Sequence, residues 1–295
     1  MNVVVLGSLN LDVVCRVEAL PAPGETVPGL GVRRFPGGKG LNQAVAAARW
    51  GARTAMIGEV GDDEAGRYLL ATLTEAGVDT ASISVTGESP TGQAYIFVSS
   101  SGENMIVVAG GANLGLGPPA SFDPASVYLT QLETPIAAAR AVFEVVAGRG
   151  LILLNAAPAI AAGASLFPLA DIIIVNEVEL AHYAGVDEAP FHLDDVSALA
   201  RRLIAREGQR VIVTLGAAGA AAVDGGDAFL VPGKPAKVVD TTGAGDCFCG
   251  VLAAALSEGA DLAQAMDQAN AAAALSTETH GAAVSMPRRE QIAAS

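Results

Sequence analysis

Asp240-Thr241-Thr242-Gly243-Ala244-Gly245-Asp246 sets two carboxylates, two hydroxyls and three small residues directly ahead of an apolar stretch, Phe248 to Leu256. Gly243, Ala244 and Gly245 let backbone N–H groups come close to an anion, and a helix over the apolar stretch turns its N-terminal dipole toward the same point. Asp246 falls in the first turn. A carboxylate there can accept a proton from an attacking hydroxyl while the helix end stabilises charge on a transferred group. A plainer role, in which Asp246 only complements the helix dipole, fits the same residues.

Working back along the chain, short apolar runs alternate with amphipathic segments. Asn2 to Leu6, Met56 to Val60, Ser126 to Leu132, Leu151 to Leu154, Ile172 to Val175 and Val211 to Leu215 read as strands of a mainly parallel sheet, with helices between them such as Ala44 to Trp50 and Ala137 to Ala147. Polar residues stand at the strand ends: Asp12, Glu133, Asn155, Asn176, Glu177 and the Thr214-Leu-Gly-Ala-Ala-Gly219 turn. Ligands of open parallel sheets bind at the carboxyl ends of strands, so Glu133, Asn176, Glu179 and the turn from Thr214 to Gly219 are candidates for one crevice. Asn176 and Glu177 also suit helix caps, and Asp12 a turn. Glu179, three residues beyond Asn176, lies on the same side of a helix start and suits a hydrated Mg²⁺.

Two regions break the rhythm. Residues 13–35 are β-like pieces interrupted by proline and glycine, and 93–109 read as a hairpin around Ser100-Ser101-Gly102-Glu103, so both are expected to form a small β lid. The glycine-rich Gly37-Gly38-Lys39-Gly40-Leu41-Asn42-Gln43 lacks the spacing of a P-loop, but its Lys39 and Asn42 offer donors at a helix start.

The chain has 295 residues, 51% hydrophobic and 16% charged, with a net charge of −14. That balance, with a pI near 4.5, argues for a filled core and against nucleic-acid or membrane-surface partners. No run approaches the ~18 apolar residues of a membrane span. Three cysteines, Cys15, Cys247 and Cys249, form no disulfide framework and suggest the cytoplasm, and the three histidines show no metal-ligand spacing.

The motifs GSLNLD (7–12), PAPGET (21–26), GGKGLNQA (37–44), GDDEAG (61–66), NEVE (176–179), TLGAAG (214–219) and DTTGAGD (240–246) together resemble the ribokinase or PfkB-type carbohydrate kinases over nearly the whole chain. The resemblance implies one kinase domain over residues 1–295, a three-layer α/β/α sandwich with a β lid that pairs two subunits into a homodimer. It implies transfer of the ATP γ-phosphoryl group to the 5-hydroxyl of ribose, with fructose, 2-keto-3-deoxygluconate or adenosine as alternative acceptors and a non-catalytic binding protein as a further alternative. Asp246 is then the base and Gly243, Ala244 and Gly245 the anion hole. Asn10, Asp12, Gly38, Lys39, Asn42 and Glu133 are implied for the sugar, Asn176, Thr214, Gly216, Gly219 and Asn270 for the nucleotide, and Glu179 for Mg²⁺. A K⁺ site is implied at Asp240, Thr242, Ser276, Thr279, Gly281 and Ser285. The chain departs from the family at Cys247 and Cys249, where a hydroxyl and a polar residue are usual. A thiol at a helix start can be activated or, if buried, inert.

Overall fold

In Val3-Val4-Val5-Leu6 alternate side chains point to opposite faces of a sheet, and both faces are apolar, so a layer must cover each. The computed structural model, which describes residues 2–189 and 192–292, supplies both layers. In chain order the elements are β1 (Val3–Leu6), β2 (Asn10–Val17), β3 (Gly29–Gly37), α1 (Lys39–Trp50), β4 (Thr54–Gly61), α2 (Glu64–Glu75), β5 (Asp79–Thr86), β6 (Gly92–Ser99) and β7 (Asn104–Ala109). They continue with β8 (Val127–Thr130), α3 (Ile136–Val146), β9 (Leu151–Asn155), β10 (Ile172–Asn176), α4 (Glu177–Ala184), α5 (Leu193–Arg201), β11 (Arg210–Thr214), β12 (Gly219–Val223) and β13 (Ala228–Pro232). Three helices follow: α6 (Ala244–Ser257), α7 (Leu262–Ser276) and α8 (Arg289–Ile292).

The main sheet has nine strands in the order β13-β12-β11-β10-β9-β8-β1-β4-β5. It is parallel from β11 to β5, with β12 and β13 antiparallel at one edge. Val3, Val5, Leu129 and Ile212 join one core, built with Leu41, Leu69, Phe248 and Met266 of α1, α2, α6 and α7. Val4, Leu6, Ile152 and Val213 join the other, built with Phe143, Leu180 and Val196 of α3, α4 and α5. The period-2 alternation of the strands thus divides the interior into two cores, giving the expected three-layer α/β/α sandwich.

A second sheet, β3-β2-β6-β7, stands apart as the lid. Its strands reach further toward the main sheet than residues 13–35 and 93–109, to Asn10, Gly37 and Gly92. All four connections to the body are therefore at one end, while β7 is exposed along its whole length. Asp63 secures one root: it caps α2 through the Gly66 N–H (2.7 Å) and accepts from the Thr91 N–H (2.8 Å) and hydroxyl (2.7 Å), immediately before β6.

Two helices begin earlier than the sequence suggests. Helix α1 starts at Lys39, not near Ala44, because Gly38 (φ +90°) turns the chain directly out of β3; a Cβ there would lie 2.8 Å from Asn10 N and Ser8 O. Helix α6 starts at Ala244, four residues before Phe248. Strands β5 and β12 carry no apolar run to announce them. The first is half-exposed and rich in Ser and Thr, and the second is Gly-Ala-Ala-Ala-Val, poor in β propensity yet wholly buried between neighbours.

Candidate active site

Because α1 begins at Lys39, Asn42 and Gln43 lie inside its first turns and face α6. Asn42 Nδ2 donates to Asp246 Oδ2 and Gln43 Nε2 to Asp246 Oδ1, both at 2.9 Å. The base candidate is buried, and each of its oxygens is held by an amide from the glycine-rich motif. Gly243, in the left-handed region at φ +79°, is the N-cap of α6 and offers no side chain to the helix start. The Ala244 N–H closes a turn onto Thr241 O (3.2 Å) and the Cys247 N–H onto Gly243 O (2.8 Å). The N–H groups of Gly245 and Asp246 meet no backbone acceptor among the described residues, as expected for a first helical turn. That is the geometry of an anion site.

Around Asp246 the charges are dense. The Lys39 ammonium is pushed above its ordinary range, chiefly by Asp246; burial opposes the rise, and Glu133 and Glu179 add to it. Asp12 on β2 is raised to about 7, first by burial and then by the negative charges of Glu133 and Asp246. Glu133 Oε2 accepts from the Ser8 hydroxyl (2.5 Å) and the Lys39 N–H (3.1 Å), tying the end of β8 to the start of α1. Asn10, buried at the root of the lid, accepts from Asn113 Nδ2 (2.8 Å), and Asn113 Oδ1 in turn accepts from the Leu9 N–H.

Asn176 and Glu179 form a capping box: each side chain accepts from the other's backbone N–H at 2.8 Å. The helix-cap reading of Asn176 is thus realised. Burial raises the Glu179 carboxyl, against the lowering effects of the Asn176 N–H and Lys39, and Asp246 adds to the rise. The turn from Thr214 to Gly219 follows β11. Gly216 (φ +55°) opens a 3₁₀ turn, and a Cβ on Gly219 would run into Val231 O, so Gly219 is required by the backbone packing of β12 on β13. Asn270 on α7 donates to Val231 O (3.0 Å) and Pro232 O (3.2 Å). Among the described residues no hydrogen bond joins this turn or Asn270 to the Asp246 cluster; they form a separate edge.

At the other side of the turn, Asp240 accepts from the Thr242 N–H (2.9 Å) and the Gly281 N–H (3.0 Å), with His280 Nδ1 3.7 Å away. Burial works against its ionisation, yet the backbone donors prevail and hold the carboxyl below its ordinary range. Ser276 and Ser285 are buried and donate to Ala273 O and Ala282 O, both at 2.8 Å, while Thr279 is exposed. Arg49 Nη1 donates to the carbonyls of Ala283, Val284 and Met286, pinning this loop to α1. A cleft of about 670 Å³ lies between the lid and these turns, lined by Asp12, Phe35, Thr241, Thr242 and Gly281.

Cys247 and Cys249 are fully buried. Burial pushes the first thiol up to about 12 and the second well above its ordinary value, so both are inert at neutral pH. Sequence reasoning passed over Gln43, Gln131 and Asn113 as site residues. Asn155 stood out only as a polar residue at a strand end.

A family model described as pfkB family carbohydrate kinase matches residues 1–289, and the chain belongs to that family. It is 36% identical, over 97% of its length, to the ribokinase of Haemophilus influenzae, 95% of which it covers. It is 37% identical over 99% of its length to the bifunctional ribokinase/ribose-5-phosphate isomerase A of Fructilactobacillus sanfranciscensis, of which it spans 55%. The solved structure of Arabidopsis thaliana ribokinase complexed with ribose and ATP matches with a TM-score of 0.91 at 30% identity, covering 99% of this chain and 97% of that one.

Proposed function

We propose that this carbohydrate kinase transfers the γ-phosphoryl group of ATP to the 5-hydroxyl of D-ribose, giving ribose 5-phosphate. The observation that carries the proposal is a buried carboxylate, Asp246, gripped by Asn42 and Gln43 in the first turn of α6, where backbone N–H groups are free. Asp246 takes the hydroxyl proton as the oxygen attacks. The N–H groups at Gly245 and Asp246 and the Lys39 ammonium balance charge on the transferred group. Asn10, Asp12, Gly38, Lys39, Asn42 and Glu133 hold the sugar. Asn42 Oδ1 is buried and without a hydrogen-bond partner among the described residues, which suits it to accept from a sugar hydroxyl. Asn176, Thr214, Gly216, Gly219 and Asn270 serve the nucleotide.

No group of three or more His, Cys, Asp or Glu residues suited to a metal occurs among the described residues. Mg²⁺ keeps most of its water and arrives with ATP; Glu179, with one oxygen in the capping box, would hold its hydrated shell through the other. When bound, Mg²⁺ neutralises phosphate charge. The Asp240 carboxylate orders the 240–242 and 281 backbone, and the hard oxygens of Asp240, Thr242, Ser276, Thr279, Gly281 and Ser285 suit K⁺.

The whole chain works as one kinase unit that pairs through its lid into a homodimer. Met105, Ile106, Val107 and Val108 on β7, with Leu30 and Val32 on β3, are all more than half exposed and suit such a contact. No helix among the described residues is long and apolar enough to cross a membrane, and the free thiols suit the cytoplasm.

The test is a coupled assay of purified protein with ribose, ATP and Mg²⁺, with and without K⁺, followed by identification of the product. Asp246→Asn is expected to lower kcat by ~10²–10⁴-fold or more. Ribose ranking well below fructose, 2-keto-3-deoxygluconate or adenosine would overturn the assigned sugar. Light scattering of the purified protein tests the dimer.

A further inference from the structure

We infer that Gln43 is a positioning residue that fixes the rotation of the Asp246 carboxylate, and that Gln131 and Asn155 fix Gln43. The inference rests on Asp246 being the base, as proposed above. Gln43 Nε2 lies between two acceptors, Asp246 Oδ1 at 2.9 Å and Asn155 Oδ1 at 3.0 Å, so both its hydrogens have targets. Gln43 Oε1 accepts from Gln131 Nε2 at 2.5 Å. Asn155 Nδ2 donates to Ile174 O at 3.3 Å, which turns Asn155 Oδ1 toward Gln43. Gln43 and Asn155 are therefore each directed by a neighbour that can only accept, a carboxylate for the first and a backbone carbonyl for the second, and Gln131, whose Oε1 has no hydrogen-bond partner among the described residues, is tied in by its donation to Gln43.

The three amides come from α1 and from the ends of β8 and β9, and all are buried. In such surroundings a reversed amide would set oxygen against the carboxylate, which is strongly unfavourable. Room for the relay depends on Gly7, where a Cβ would overlap Gln131 Oε1. With Gln43 on Oδ1 and Asn42 on Oδ2, the carboxylate plane cannot rotate, and its remaining lone pairs keep one direction. Proton transfer depends on that direction, whereas sugar binding does not.

Gln43→Glu keeps the shape and replaces the donor by a second carboxyl against Oδ1, so the pair must share a proton. The expected result is a kcat at pH 7 lowered ~10–100-fold, a ribose KM within about twofold of the parent, and an acid limb of the kcat profile moved up by about one pH unit or more. The other groups electrostatically coupled to Asp246 are Lys39 on α1, Asp12 on β2, Glu179 on α4 and the thiols of Cys247 and Cys249 on α6; all are present in both proteins. A raised KM with kcat and the limb unchanged, or no change at all, would overturn the inference.

If Gln43→Glu does not fold, Gln131→Met decides, because it removes the donor that anchors Gln43 Oε1 and lets the amide tilt away from Asp246 Oδ1. It is expected to lower kcat ~3–10-fold at constant KM, and an unchanged kcat refutes the relay. Asp246→Asn separates the two claims. Activity retained in Asp246→Asn removes the base assignment itself, whereas its loss alongside parental Gln43→Glu and Gln131→Met removes only the positioning role.

Discussion

Replacing Asp12 with Asn should make the protein more stable, by an amount that depends on pH. Asp12 is raised from 3.8 to about 7 by burial and by Glu133 and Asp246. In the unfolded chain the carboxyl loses its proton near its ordinary pKa, but in the folded protein it keeps it until about pH 7. Between those values the folded state binds more protons, so its stability falls as pH rises and the loss is complete above the folded pKa. The amide of the variant is neutral throughout and escapes this. Between pH 5.5 and 8.5 the folded carboxyl goes from mostly protonated to mostly ionised while the unfolded one stays ionised, so the gap between variant and parent should widen by ~2 kcal/mol at 1.36 kcal/mol per pH unit. Urea denaturation of both proteins at the two pH values measures it. The variant should also bind sugar poorly, and the parent's ribose KM should rise below pH 7 as the carboxyl gains a proton and loses acceptor capacity. A stability gap equal at both pH values would refute the reasoning, because it would mean that Asp12 does not titrate in the folded protein between pH 5.5 and 8.5.

Gly38→Ala puts a side chain at φ +90° against Asn10 N and Ser8 O, and should cost more than ~1 kcal/mol in thermal or urea unfolding while raising the ribose KM. Asp63→Ala removes the cap of α2 and the tie to Thr91; a loss of about 1–2 kcal/mol is expected, with faster amide exchange at the start of β6 as the local readout. Arg49→Met leaves the carbonyls of Ala283, Val284 and Met286 without their shared donor, and should lower stability by ~1–3 kcal/mol and speed proteolysis of the 280–287 loop.

The two-faced sheet was legible because its inner strands are short and almost wholly apolar: Val3–Leu6 and Ile172–Val175 have no other economical burial. Asp246 at a helix start was legible for a similar reason, since the glycines before it have a local meaning. The start of α1 was not, because Gly-Gly-Lys-Gly has the composition of a loop, whereas Gly37 ends β3, Gly38 turns the chain and Lys39-Gly40 already belong to the helix, with Gly40 packed closely on Gly7. Strand β12 was hidden by its alanines. The amide relay is invisible for a more general reason. Gln43, Gln131 and Asn155 share no spacing, and only the parallel order of β8 and β9 beside β1 brings them together. Cys247 and Cys249 allowed two outcomes in the sequence, and burial alone decides for inert packing.

The lid joins the body at one end only, which makes it a cantilever. Strand β2 has eight residues, so its free end lies roughly 26 Å from the root at ~3.3 Å per residue. A rotation of about 10° at the root would carry that tip through roughly 4–5 Å but move Asp12, two residues from the root, by only about 1 Å. The arm can therefore swing at its tip while the Asp12 carboxylate near its root stays almost still. Movement of the tip and the position of Asp12 are mechanically independent, although one strand carries both.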